Sequence, residues 1–105
     1  MTDCHGIEEK NFRRILGLFS KNQNITEVIL FGSRAKGNFR DGSDIDLALK
    51  GKSLTSRDLV PIERDYEDLY FPWKLDLVIY ENIENEELKN HIRRVGKVVY
   101  SHDRA

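Results

Sequence analysis

Gly32-Ser33-Arg34-Ala35-Lys36-Gly37-Asn38-Phe39-Arg40-Asp41-Gly42-Ser43-Asp44-Ile45-Asp46 follows directly on the apolar run Val28-Ile29-Leu30-Phe31 and leads into Leu47-Ala48-Leu49. The apolar run is short, partly β-branched and stopped by a glycine, the pattern of a buried strand meeting a turn. Ile45 to Leu49 alternates, as does Lys74-Leu75-Asp76-Leu77, so both predict strands. Three of the seven glycines fall within residues 32–42. Glycine at a strand end lets backbone N–H groups come close to an anion, and a following helix start adds the positive end of its dipole. A phosphate fits such a turn. Gly32 to Gly37 has the G-x-x-x-x-G spacing of a P-loop, but Asn38 and Phe39 stand where Lys and Ser or Thr are required, which excludes that class of ATPase.

Outward from this stretch, Ile7 to Asn22 places Ile7, Ile15, Leu16, Leu18 and Phe19 on one side of a 3.6-residue period and predicts an amphipathic helix. Leu59, Ile62, Tyr66, Leu69 and Tyr70 predict a second; with Asp58 as its N-cap, Pro61 falls in the first turn, where its missing N–H has no partner to lose. Glu84 to Val95 predicts a third, stopped by Gly96, before a strand over Val98-Val99-Tyr100. The fold class is therefore α/β: a small mixed β-sheet with helices packed on it, in the order α-β-turn-β-α-β-α-β. No repeat or linker interrupts the chain, so residues 1–105 are expected to form a single domain.

Composition narrows the function classes. Charged residues make up 33%, above the common value of about 25%, yet the formal net charge is only −1, which argues against a general polyanion binder. Nucleic acid is not expected as a direct ligand. The longest apolar runs, Val28–Phe31 and Leu77–Tyr80, are four residues long, far below the roughly 20 that span a bilayer, and no secretory h-region follows the acidic N-terminus. The expected location is cytoplasmic, without a membrane. Cys4 alone cannot form an internal disulfide, in keeping with a reducing compartment. His5, His91 and His102 are scattered and suggest no catalytic pairing, while Tyr70, Phe71 and Trp73 form either core or an aromatic edge for a partner. Residues 34–57 carry six basic side chains against Asp41, Asp44 and Asp46, a cationic rim able to draw in a triphosphate.

Asp44 and Asp46, two positions apart at a strand start, project to one face. Asp76, within Leu75-Asp76-Leu77-Val78-Ile79, could bring a third carboxylate from a neighbouring strand, unless it pairs with Lys74 or an arginine. Such carboxylates repel one another unless cations hold them, and oxygen-only ligation favours Mg²⁺ or Mn²⁺ over zinc. Gly32-Ser33 by itself is an ordinary strand-to-helix turn.

Together, Gly32-Ser33, ten intervening residues and Asp44-x-Asp46 resemble the signature of the DNA polymerase β-like nucleotidyltransferase superfamily. Gly-Ser-Arg-x-x-Gly and Trp73-Lys74-Leu75-Asp76-Leu77 resemble its minimal nucleotidyltransferases, which accompany HEPN-domain proteins; the likeness covers roughly residues 25–80. The resemblance implies a polymerase β-like core in which Gly32 and Ser33 contact the triphosphate of ATP. Arg34 and Lys36 help neutralise it, and Asp44, Asp46 and Asp76 are the catalytic ligands of two Mg²⁺ ions. It further implies transfer of AMP to a hydroxyl, namely a tyrosine of a HEPN toxin, by an antitoxin in a hetero-oligomer. The alternatives are a non-catalytic nucleotide-binding subunit that masks its partner, or a transferase for a small molecule or RNA end.

Overall fold

The computed structural model describes residues 3–102. A four-stranded mixed sheet is built from β3 (Glu27–Phe31), β4 (Ile45–Lys50), β5 (Leu75–Ile79) and β6 (Lys97–Ser101) in the spatial order β5-β4-β3-β6. β3 pairs antiparallel with β4 and with β6, whereas β4 and β5 run parallel. Parallel neighbours need a crossover connection, here supplied by a helix, α3 (Ser56–Glu67).

Strand alternation sorts the side chains into two layers. Val28 and Leu30, Ile45, Leu47 and Leu49, and Leu77 and Ile79 join one core with Phe12 and Ile15 of α1 (Glu9–Gly17) and Ile62 and Tyr66 of α3. On the opposite face, Ile29, Phe31 and Ala48 are covered by Ile92 of α4 (Glu86–Val95). From Val28 to Phe31, β3 is apolar because both of its faces are buried. Asp46 and Asp76 belong by alternation to the α4 face, at the end of the sheet where β4 and β5 begin.

Several boundaries differ from the sequence expectation. Ile7 belongs to a small antiparallel hairpin, β1 (Asp3–Cys4) with β2 (Ile7–Glu8), rather than to the first helix. His5 and Gly6 both have positive φ, 57° and 90°, as a two-residue hairpin turn requires. α1 then stops at Gly17, and Phe19–Lys21 continues as a 3₁₀ turn. The expected turn after β3 contains the five-residue helix α2 (Gly32–Lys36), closed by Gly37 in the left-handed region.

α3 begins earlier than expected. Its N-cap is Thr55, whose N–H donates to the Asp58 carboxylate at 2.8 Å, so Asp58 closes a capping box from inside the helix. Pro61 therefore sits beyond the first turn and leaves the Arg57 carbonyl without its usual donor. Asn85 caps α4 by accepting the Leu88 N–H at 3.1 Å. Gly96 follows the helix in an extended conformation with a φ of −64°, so it is needed there for space and not for a left-handed cap: a side chain would collide with Ile29 and the Ile92 carbonyl. Among the described residues, no helix is long and apolar enough to cross a membrane.

Candidate active site

The β4–β5 register sets Asp46 directly opposite Asp76, so two carboxylates share one face of adjoining strands. Asp44 lies two residues ahead of Asp46, just outside β4, and is exposed like Asp76, while Asp46 is half-buried. Burial pushes the Asp46 carboxyl above its ordinary range, and the negative charges of Asp76 and then Asp44 push in the same direction. The three groups predicted from sequence are thus electrostatically one cluster. Among the described residues the cluster is open, with no trio of ligand side chains gathered closely enough to enclose an ion. Its donors are all carboxylate oxygens, and it carries the repulsion that a hard divalent cation would relieve.

Gly32 is the hinge between strand and turn. Its φ is 77°, and a Cβ at this position would overlap the Asp46 carboxylate, so the Gly32–Ser33 turn and the carboxylates meet where only glycine fits. Its N–H donates to His91 Nε2 at 3.1 Å, reaching across 59 residues of sequence to α4. The His91 ring meets Phe31 edge-on with centroids 6.1 Å apart. Ser33 is half-buried in the first turn of α2, and Lys36 is exposed in its last.

Arg34, expected to help neutralise the triphosphate, is buried within the fold. It is 2% exposed, and its guanidinium donates to the backbone carbonyls of Ser43, at 2.9 and 3.2 Å, and of His5, at 2.8 Å. It also lies over the rings of Phe39 and Trp73, 5.2 and 5.8 Å from their centroids. Trp73 in turn donates its indole N–H to the Asp41 carbonyl at 3.2 Å. A planar fork with five donors suits this work, and the result is a strut that fixes the loop delivering Asp44. Local sequence could not reveal its burial, because His5 and Trp73, which close over it, come from the hairpin and from the segment before β5. His91 was missed for the same reason: no spacing links it to Gly32.

The sequence matches the Polymerase beta, Nucleotidyltransferase family over residues 13–105. The search of curated proteins gave no match. Among solved structures, a toxin–antitoxin complex with AMP-PNP contains a chain that superposes with a TM-score of 0.71 at 22% identity, covering 88% of this chain and 74% of that one. The complex of a tri-AMPylated Shewanella oneidensis HEPN toxin with its MNT antitoxin gives 0.66 at 19%, covering 90% and 72%. A MntA-HepT toxin–antitoxin complex gives 0.65 at 20%, covering 90% and 74%. At these identities the likenesses establish the fold. The family match over most of the chain, and the convergence of the Gly-Ser turn on the paired aspartates, lead to one assignment: this chain belongs to the polymerase beta nucleotidyltransferase family.

Proposed function

We propose that the chain is a Mg²⁺-dependent nucleotidyltransferase that moves AMP from ATP onto a hydroxyl of a partner protein, a tyrosine of a HEPN toxin, and so acts as an antitoxin. The observation that carries this reading is the register setting Asp46 beside Asp76, with the Gly32 backbone against the same Asp46 carboxylate. Nucleotide and partner are supported by the complexes of the same fold, one with AMP-PNP and one with an AMPylated HEPN toxin. In this reading residues 1–105 form one minimal domain, working in the cytoplasm as part of a hetero-oligomer.

Asp44, Asp46 and Asp76 would hold two Mg²⁺ ions, which when bound activate the acceptor hydroxyl and stabilise charge on the leaving pyrophosphate. The Gly32–Ser33 turn faces the triphosphate, with the Ser33 hydroxyl as a donor and Lys36 adding positive charge from the end of α2. Arg34 acts from beneath, by holding the Ser43 carbonyl and hence the approach to Asp44. The acceptor oxygen bonds to the α-phosphorus as the bond to the β-phosphate's bridging oxygen breaks. The hydroxyl proton leaves to solvent, and no covalent enzyme intermediate is formed.

The test is incubation of the purified chain with labelled ATP, Mg²⁺ and the product of the neighbouring gene, followed by intact-mass measurement. An AMP adduct on the partner that disappears with Asp44→Asn is expected. Neutralisation of the partner without a mass change, and equally by Asp44→Asn, would replace transfer with simple masking.

A further inference from the structure

His91 is the side chain of α4 that reaches the end of the sheet where the carboxylates gather. Its neighbour Ile92 is 2% exposed and anchors the helix on the Ile29, Phe31 and Ala48 layer, while Phe31 packs against the imidazole itself. The helix is thus anchored beside the ring, and Phe31 packs against the ring where it meets Gly32. Because Nε2 accepts the Gly32 N–H, the imidazole carries its proton on Nδ1.

The bond matters because of what the peptide between Phe31 and Gly32 could otherwise do. Glycine tolerates both signs of φ, so a flip of this peptide, which abuts Asp46, meets little steric resistance at Gly32. A flip would replace the N–H by the Phe31 carbonyl and move the Gly32 backbone relative to the Asp46 carboxylate it abuts. In the observed arrangement a flipped carbonyl would confront the lone pair of Nε2. The contact therefore selects one orientation of the peptide on which both the phosphate turn and Asp46 depend.

We propose that His91 is a positioning residue of the nucleotide site, locking the Phe31–Gly32 peptide so that the turn and Asp46 are set for a nucleoside triphosphate before it arrives. The assignment rests on the nucleotide reading given above. It also implies that the Gly32 amide stays with His91 when nucleotide is bound, leaving the rest of the turn to hold the phosphates.

Binding of Mg²⁺–AMP-PNP, measured by calorimetry on the wild type, His91→Leu and His91→Gln, tests it. Leucine cannot accept the amide and should weaken binding about tenfold, whereas the glutamine carbonyl can accept it and should restore affinity to within about threefold. A trans-hydrogen-bond coupling between the Gly32 and His91 Nε2 nitrogens should be visible in the wild type by NMR and should persist on adding Mg²⁺–AMP-PNP. This second measurement stands even if the leucine variant does not fold. Equal losses in both variants would mean that the ring only fills space, and tighter binding by His91→Leu would mean that it competes with phosphate; either overturns the assignment, as does loss of the coupling on ligand addition. Tight wild-type binding that His91→Leu leaves unchanged would sink this assignment alone. A wild type that binds no Mg²⁺–AMP-PNP while the coupling is intact would instead sink the nucleotide reading, and this assignment with it.

Discussion

At the scale of single residues, Asp46 is where crowded negative charge works against stability. Its carboxyl is held above the ordinary value of 3.8 by burial and by the charges of Asp76 and Asp44. A group whose folded-state pKa is raised supports the fold while protonated, and that support is lost as pH rises through the folded value. Near pH 7 without metal the ionised side chain is therefore a liability. Asp46→Asn is expected to raise the melting midpoint in EDTA at pH 7 by a few degrees, where each kcal/mol corresponds to about 4–8 °C in a domain of this size. The gain should fade as pH falls through the raised folded-state value and be gone below the ordinary 3.8, and thermal denaturation across that range checks it. The face that Asp46 shares with Asp76 was legible from strand alternation, whereas Asp44 lies just ahead of β4, where that alternation does not fix its direction. Arg34 was legible as an important basic residue but not as a buried strut, since the carbonyls it donates to include that of His5, far from it in sequence, beside those of Asp41 and Ser43. Side-chain direction at a turn depends on what closes over it, and nothing within a few positions of Arg34 records the hairpin that does so.

Among the elements, the strands of the main sheet were read most faithfully, because the four-residue apolar run of β3 and the alternation of β4 and β5 reflect their burial directly. Helix ends were less legible. Asp58 has the chemistry of an N-cap, yet Thr55 takes that place and uses Asp58 as its reciprocal partner. The consequence is a proline in the second turn of α3, where it removes a hydrogen bond to the Arg57 carbonyl. Pro61→Ala is accordingly expected to stabilise the fold, by up to about 2 kcal/mol once the proline's restriction of the unfolded chain is set against its helix cost. Urea denaturation would measure the gain, and nucleotide binding should be unchanged because Pro61 is exposed on α3, away from the carboxylates. The β1–β2 hairpin was missed because strands of two residues are too short to show alternation; only the His5-Gly6 pair, with both φ values positive, marks it.

For the molecule as a whole, α/β class and a mixed sheet were predictable from the succession of elements, but the strand order β5-β4-β3-β6 was not. Order and direction are decided by which faces the helices cover, and that is a property of the packed molecule rather than of any window of sequence. The parallel register between β4 and β5 also governs the order in which folding can proceed. Residues 51–74 must complete the crossover before Asp76 can stand beside Asp46, so the carboxylates gather only as a long loop closes. Divalent cations that bind the completed cluster should find little of it in the folding transition state. Mg²⁺ at about 100 times its dissociation constant is then expected to slow unfolding by about 100-fold while leaving the refolding rate nearly unchanged. Stopped-flow denaturant jumps with and without Mg²⁺ would show this as a drop in the unfolding limb alone. The metal would then act on the protein as a latch on the finished fold, lengthening the lifetime of the native state rather than hastening its formation.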